Sequence, residues 1–178
     1  PGKVKAGSET DAMVEYVDVT PTFIDVAGGE PIAPVDGLSF LPVLHGKAKV
    51  HKEHVFGIMT TRGIINGTDA YAIRSVRDSR YKLIQNLNHE SKFTNACTKM
   101  PLFQSMLAKA KAGDKTAKRL VHAYQHRPAV ELFDMEKDPL EMNNLANHAD
   151  YKKHIVRLRK KLELWMEEQG DKGVETEL

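Results

Sequence analysis

Cysteine, net charge and long apolar runs are all scarce in this chain, and each shortage removes a class of function. A single cysteine, Cys97, excludes an internal disulfide and any zinc site built from several cysteines. No apolar stretch approaches the roughly 20 residues that span a bilayer, so no membrane partner is expected. The formal net charge is only +2, which argues against an obligatory polyanion binder and leaves room for a local basic patch. The opening residues, Pro1-Gly2-Lys3-Val4-Lys5-Ala6-Gly7, carry neither an initiator Met nor the charged and apolar regions of a signal peptide. The expectation is a processed protein or an excised piece, whose compartment is unknown from this stretch.

What remains is ordinary for a soluble globular domain: 178 residues, 28% charged and 41% hydrophobic. A chain of this length buries about two-thirds of its unfolded surface. Residues 14–17 read as a short strand, and Asp18 as the N-cap of a helix over 18–27 with Val19, Phe23 and Val26 on one face. Val55-Phe56-Gly57-Ile58-Met59 reads as a buried strand. The period of two over 71–76 predicts a second strand, 81–86 a third and 131–134 a fourth. Short turns between several of them make antiparallel pairing the default. A long insertion, 87–129, separates the last two and predicts two helices, from Pro101 to Ala112 and from Lys115 to His126. Tyr151, Ile155, Leu158, Leu162 and Trp165 step by helical spacing along 150–169, a stripe wide enough to cover a sheet. The expectation is an α+β fold: about four antiparallel strands under a long C-terminal helix, with a helical insertion.

No residue set completes a catalytic constellation. Cys97 has no adjacent base or Gly-rich turn to activate it. His122 and His126 share one helical face, which suits a metal, but a third ligand is missing and two solvated histidines explain them better. His45, His51 and His54 cluster around a polar loop. The acids Asp134, Glu136, Asp138 and Glu141 do not follow a calcium-loop spacing, so turn chemistry accounts for them. A basic run from Lys109 to Arg127 is a solvated face or an anion-binding rim. Asn66-Gly67-Thr68 is a turn that also matches a glycosylation sequon. Thr60-Thr61-Arg62, leaving a strand, offers a guanidinium fork to a sulfate, phosphate or carboxylate.

Five stretches occur in a recognisable order: Pro1-Gly2-Lys3-Val4-Lys5-Ala6-Gly7-Ser8; Val17-Asp18-Val19-Thr20-Pro21-Thr22-Phe23; Asp36-Gly37-Leu38-Ser39-Phe40-Leu41-Pro42; Arg74-Ser75-Val76-Arg77 with Tyr81-Lys82-Leu83-Ile84; and Glu131-Leu132-Phe133-Asp134 with Asp138-Pro139-Leu140-Glu141 and Asn144-Leu145-Ala146. Together they resemble the C-terminal portion of a type I sulfatase of the alkaline-phosphatase-like superfamily, most of all its heparan N-sulfatase (sulfamidase) branch. The resemblance implies a longer protein that hydrolyses sulfate esters or sulfamates of glycosaminoglycan-type sugars with a formylglycine and a calcium ion. Cys97 is followed by Thr98-Lys99-Met100 and does not match the family's Cys/Ser-x-Pro/Ala-x-Arg nucleophile motif. No catalytic or metal residue, and no cofactor, is therefore assigned to this chain.

The implied organisation is a segment (1–50) packing on a missing N-terminal catalytic domain, a C-terminal subdomain (51–170, with its insertion at 87–129) and a flexible tail (171–178). Thr61, Arg62 and His54 are the candidate substrate contacts. The implied partners are that catalytic domain and a sulfated carbohydrate, with no nucleic acid. The apolar face of helix 18–27 would let an isolated fragment self-associate. The longer protein would be exported, to a periplasmic, extracellular or lysosomal site. Alternatives are a non-catalytic anion- or glycan-binding module, and part of a related phosphoryl-transfer enzyme.

Overall fold

The structure is a computed structural model that describes residues 2–30, 33–60 and 71–177. The chain divides into two compact units, Pro1–Phe56 with Arg77–Ser79, and Gly57–Val76 with Arg80–Leu178.

In the first unit a 3-10 turn, Tyr16–Asp18, leads into α1 (Val19–Val26), and α2 (Leu41–Leu44) follows a loop. The strand expected over 14–17 is absent. The Asp18 carboxylate accepts the Glu15 N–H at 2.9 Å and curls the chain back on itself. Asp18 stands at the N-cap of α1, as expected, but its side chain makes no capping bond; its oxygens are engaged elsewhere. Two of the sequence stretches interlock here. The Thr22 hydroxyl donates to the Asp18 carbonyl at 2.6 Å and accepts the Phe40 N–H at 3.0 Å. Gly37 passes so close to Val17 that an added Cβ would lie 1.8 Å from the Val17 carbonyl oxygen, so only glycine fits that crossing.

The second unit is built on a four-stranded antiparallel sheet in the order β1 (Val55–Met59), β2 (Ile73–Arg77), β3 (Tyr81–Asn86) and β4 (Val130–Asp134), β1 beginning in the first unit. Strands β3 and β4 pair from Tyr81↔Asp134 to Gln85↔Val130. This register puts Leu83 opposite Leu132 on one face, with Ile84 and Phe133 on the other. The insertion forms a 3-10 turn (Ala96–Lys99), α3 (Pro101–Lys111) and α4 (Lys115–Gln125). Its Phe93 and Tyr124 join Tyr71, Ile73, Ile84 and Phe133 in a core on the second face.

On the first face, α5 (Lys152–Glu168) places His154 against Tyr81, ring centroids 4.1 Å apart. Leu158 and Leu162, one and two turns further along, are fully buried. The helix-covered sheet is thus as the apolar stripe predicts. The packing of the insertion on the opposite face is additional, and it explains why β2 and β3 bury residues on both sides.

The stretch after Pro139 forms non-helical turns. Asp138 accepts the N–H groups of Met142 at 3.0 Å and Asn143 at 2.7 Å. Asn144 then completes the edge of β4, accepting the Leu132 N–H at 3.0 Å and donating to the Val130 carbonyl at 3.1 Å. That satisfies backbone groups an edge strand would otherwise leave open.

The tail also differs from the flexible segment expected from its sequence. Gly170 and Gly173 turn at φ 65° and 68°, and a last helical turn, α6 (Val174–Glu177), buries Glu177. The physical reason is a buried arginine, described next.

Candidate functional site

Three polar clusters stand out, and none is an assembled catalytic centre. The first surrounds Asp18, fully buried in the first unit. Its carboxylate accepts the Leu38 N–H at 2.9 Å and pairs with Lys52 Nζ at 2.7 Å. His51 Nε2 lies 3.2 Å away. Burial pushes the Asp18 carboxyl up, but the hydrogen bonds from Lys52, Leu38 and Glu15 outweigh it and hold the group below the ordinary range. Burial likewise lowers Lys52, and its bonds to Asp18 and Glu15 more than compensate, so its pKa is raised. Glu15 accepts both Lys52 Nζ at 2.6 Å and the Phe56 N–H at 2.7 Å. Asp18 thus ties together three segments distant in sequence.

The second cluster is the Arg74 clamp in the second unit. Arg74 is 1% exposed in the middle of β2. Its guanidinium binds Asp171 through Nε and Nη2, the latter at 3.1 Å, and Glu177 Oε1 at 3.0 Å. Nη1 donates to the Ile73 carbonyl at 3.1 Å and the Met59 carbonyl at 3.4 Å. Glu177 also accepts the Thr60 hydroxyl. Burial lowers the Arg74 pKa, while the two carboxylates raise it further still. The Arg74 hydrogen bond, against burial, holds Asp171 below the usual carboxylate range, with help from the Gly173 N–H. The end of β1 is therefore held by both the clamp and the tail.

The third cluster sits at the β3–β4 end, where Arg80 pairs with Asp134 at 2.8 Å and Lys82 with Glu141 at 2.8 Å. Arg80 lowers the Asp134 carboxyl, and the pair raises Arg80. Of the acids read from sequence as turn formers, Asp138 and Asp134 accept nearby backbone N–H groups, while Asp134 and Glu141 also pair with cations.

Of the candidate substrate contacts, Thr61 and Arg62 lie outside the described residues, as does the Asn66-Gly67-Thr68 sequon. His54 is half-buried immediately before β1. Cys97 is exposed in its 3-10 turn. His122 and His126 stack with ring centroids 4.8 Å apart. Among the described residues, no group of three or more His, Cys, Asp or Glu comes together as a metal-ligand set. Sequence reading missed Lys52, Glu15, Asp171 and Glu177. The last two lie 97 and 103 residues from Arg74, a separation no local pattern carries.

A four-stranded sheet covered by helices on both faces defines the class as an α+β subdomain. Residues 1–96 match the family "N-sulphoglucosamine sulphohydrolase, C-terminal", and the chain belongs to that family. It is 35% identical over 171 residues to an ulvan-active sulfatase of Formosa agariphila, covering 96% of this chain and 32% of that protein. It is 31% identical over 181 residues to the N-sulphoglucosamine sulphohydrolase of Homo sapiens, covering 94% and 35%. Among solved structures, BT4656 in complex with D-glucosamine-2-N,6-O-disulfate superposes with a TM-score of 0.67 at 23% identity, covering 98% of this chain and 28% of that one; that likeness concerns the fold. The chain spans about a third of the length of these curated relatives.

Proposed function

We propose that this chain is the C-terminal part of a longer hydrolase that removes sulfate, as ester or sulfamate, from glycosaminoglycan-type sugars. The observation that carries the reading is the sequence likeness over 96% of the chain to a sulfatase. The nucleophile, a formylglycine, and a calcium ion belong to the remaining two-thirds. That portion packs on the first unit, where Tyr16, Phe23, Val26 and Leu38 leave a broad apolar surface exposed; the isolated fragment self-associates through the same surface. The longer protein is exported. This chain's own share is to shape one wall of the substrate cleft. The end of β1, gripped by Arg74 and Glu177, feeds directly into Thr61 and Arg62, and His54 enters the same strand from its other end.

In the full-length protein, Arg62→Ala is expected to raise KM for a sulfated disaccharide about 10- to 100-fold with kcat little changed. That is the loss of a charge-assisted hydrogen bond made equally in ground and transition states. Unchanged kcat and KM would remove Arg62 from the site. A full-length protein that turns over no sulfated sugar would refute the sulfatase reading itself.

A further inference from the structure

We propose that the α3–α4 hairpin is a binding site for a sulfated polysaccharide chain. The first observation is where the charge lies. Residues 87–129 hold eight Lys or Arg against two acids, while the other 135 residues hold 18 against 22. The whole positive excess of the protein therefore sits in the insertion.

The second observation is that the five cations of the hairpin itself make no ion pair among the described residues. Lys52, Arg74, Arg80 and Lys82 outside the insertion, and Arg127 at its end, each meet a carboxylate. Lys109, Lys111, Lys115, Lys118 and Arg119 are all exposed, and none forms an ion pair with a described residue. Lys109 and Lys111 sit in the last turn of α3, where the helix dipole favours them, but the placement of the α4 cations opposes helix stability. Lys115 and Lys118 occupy the first turn of α4, which has no acidic residue there, although the positive end of the helix dipole disfavours cations. Lys115 and Arg119 form a like-charge pair one turn apart, again unfavourable. Folding does not account for this pattern; an external anion does.

The third observation is shape. A groove of about 470 Å³ is lined by Ala110, Lys115, Lys118, Arg119, His122 and Gln125, among others. From Lys115 to Arg119 the cations of α4 span roughly 6 Å at the α-helical rise, and Lys109 and Lys111 in the last turn of α3 add two more, enough to meet more than one sulfate of a chain laid along the hairpin. A nucleic acid fits less well. The one aromatic of α4, Tyr124, has its ring 5.3 Å from Phe103 and 5.6 Å from Phe93, and its hydroxyl is hydrogen-bonded by Asn95 at 3.1 Å. No aromatic face on α4 is left for base stacking. That the polyanion is a sulfated sugar, and not another polyanion, rests on the sulfatase reading above.

The test uses the full-length protein and its Lys115→Ala/Lys118→Ala/Arg119→Ala variant. Immobilised heparin is the sulfated probe, polygalacturonate the unsulfated polyanion and a homopolymeric single-stranded DNA the nucleic-acid control. The variant is expected to bind heparin at least tenfold more weakly at 0.1 M salt. Its slope of log K against log [salt] should fall by about two, roughly 0.7 per cation removed. Hydrolysis of a sulfated disaccharide should stay within twofold. A Lys115→Arg/Lys118→Arg variant is expected to keep its heparin affinity. Heparin affinity unchanged in the triple variant, equal binding of polygalacturonate, or tighter binding of the DNA would each overturn the proposal. A protein inactive on every sulfated sugar that still loses heparin binding in the triple variant would refute the sulfatase reading and leave this site standing.

Discussion

Replacing Arg74 by Ala is the most demanding test of how this subdomain is held together. The guanidinium is 1% exposed and faces Asp171 and Glu177, whose side chains are 5% and 4% exposed. Removing it leaves two carboxylates in a site with almost no solvent, where the Gly173 N–H, at 2.8 Å, and the Thr176 side chain still reach Asp171. Breaking one side of a buried pair costs about 3–5 kcal/mol, because the remaining charge is uncompensated. Urea unfolding followed by circular dichroism should show a lower midpoint at an unchanged slope. The chain has one way to limit the damage: the tail can release, hydrating both carboxylates. In that case amide protection over 171–177 collapses, and the Thr60 hydroxyl loses Glu177. An Arg74→Met/Asp171→Asn/Glu177→Gln variant should recover most of the loss, since it removes every charge together. A loss under about 1 kcal/mol with the tail amides still protected would refute the account of the clamp.

Two further predictions concern pH and backbone packing. The folded carboxyls of Asp18, Asp134 and Asp171 lie below their ordinary value of 3.8, so on acidification the unfolded chain takes up protons first. Their stabilisation is complete above about pH 4 and disappears as pH falls through the folded values. Urea midpoints should hardly change between pH 7 and 5 on their account and drop by pH 3, less steeply in Asp18→Asn; an unchanged midpoint at pH 3 would contradict this. Gly37→Ala drives a methyl to 1.8 Å from the Val17 carbonyl oxygen and should destabilise by about 2–3 kcal/mol. Gly46→Ala, with nothing within 4 Å of the new Cβ, meets only its positive φ and should lose less; equal losses in a melting experiment would dismiss the Val17 contact.

The regular elements were legible because their signal is local. Alternation over 71–76 and 81–86 and the stripe through Leu158 and Leu162 are fixed by where apolar side chains must point. Pro101 and Asp114 mark the starts of α3 and α4, the latter by capping Ala117 N–H at 2.9 Å. The polar clusters were not legible, since the same residue types have a cheaper local explanation. An Asp before an apolar helix reads as an N-cap, yet Asp18 turns its oxygens to Leu38 and Lys52. An Arg in an alternating strand reads as solvent-facing, yet Arg74 is buried because the tail delivers two carboxylates to it. A polar segment after Gly170 reads as frayed for want of apolar residues, yet ion pairs order it.

That pattern separates two kinds of residue. Those that carry the resemblance, among them Asp18, Thr22, Gly37, Arg74, Asp138 and Asn144, fix backbone: each either binds main-chain N–H or C=O groups or lets two backbones pass. They specify a scaffold, and a scaffold can be shared by enzymes that differ in substrate. The cations of the hairpin, Lys109, Lys111, Lys115, Lys118 and Arg119, lie on α3 and α4, beyond the residues 1–96 that match the family. Unpaired like charges on a helix reduce its stability, so their presence is better explained by a ligand than by the fold. If so, deleting charge on the hairpin and deleting Arg74 should have opposite signatures. The first should weaken binding of a long sulfated chain and leave folding intact or slightly improved, while the second should unfold the tail and reach polymer and disaccharide alike through the end of β1.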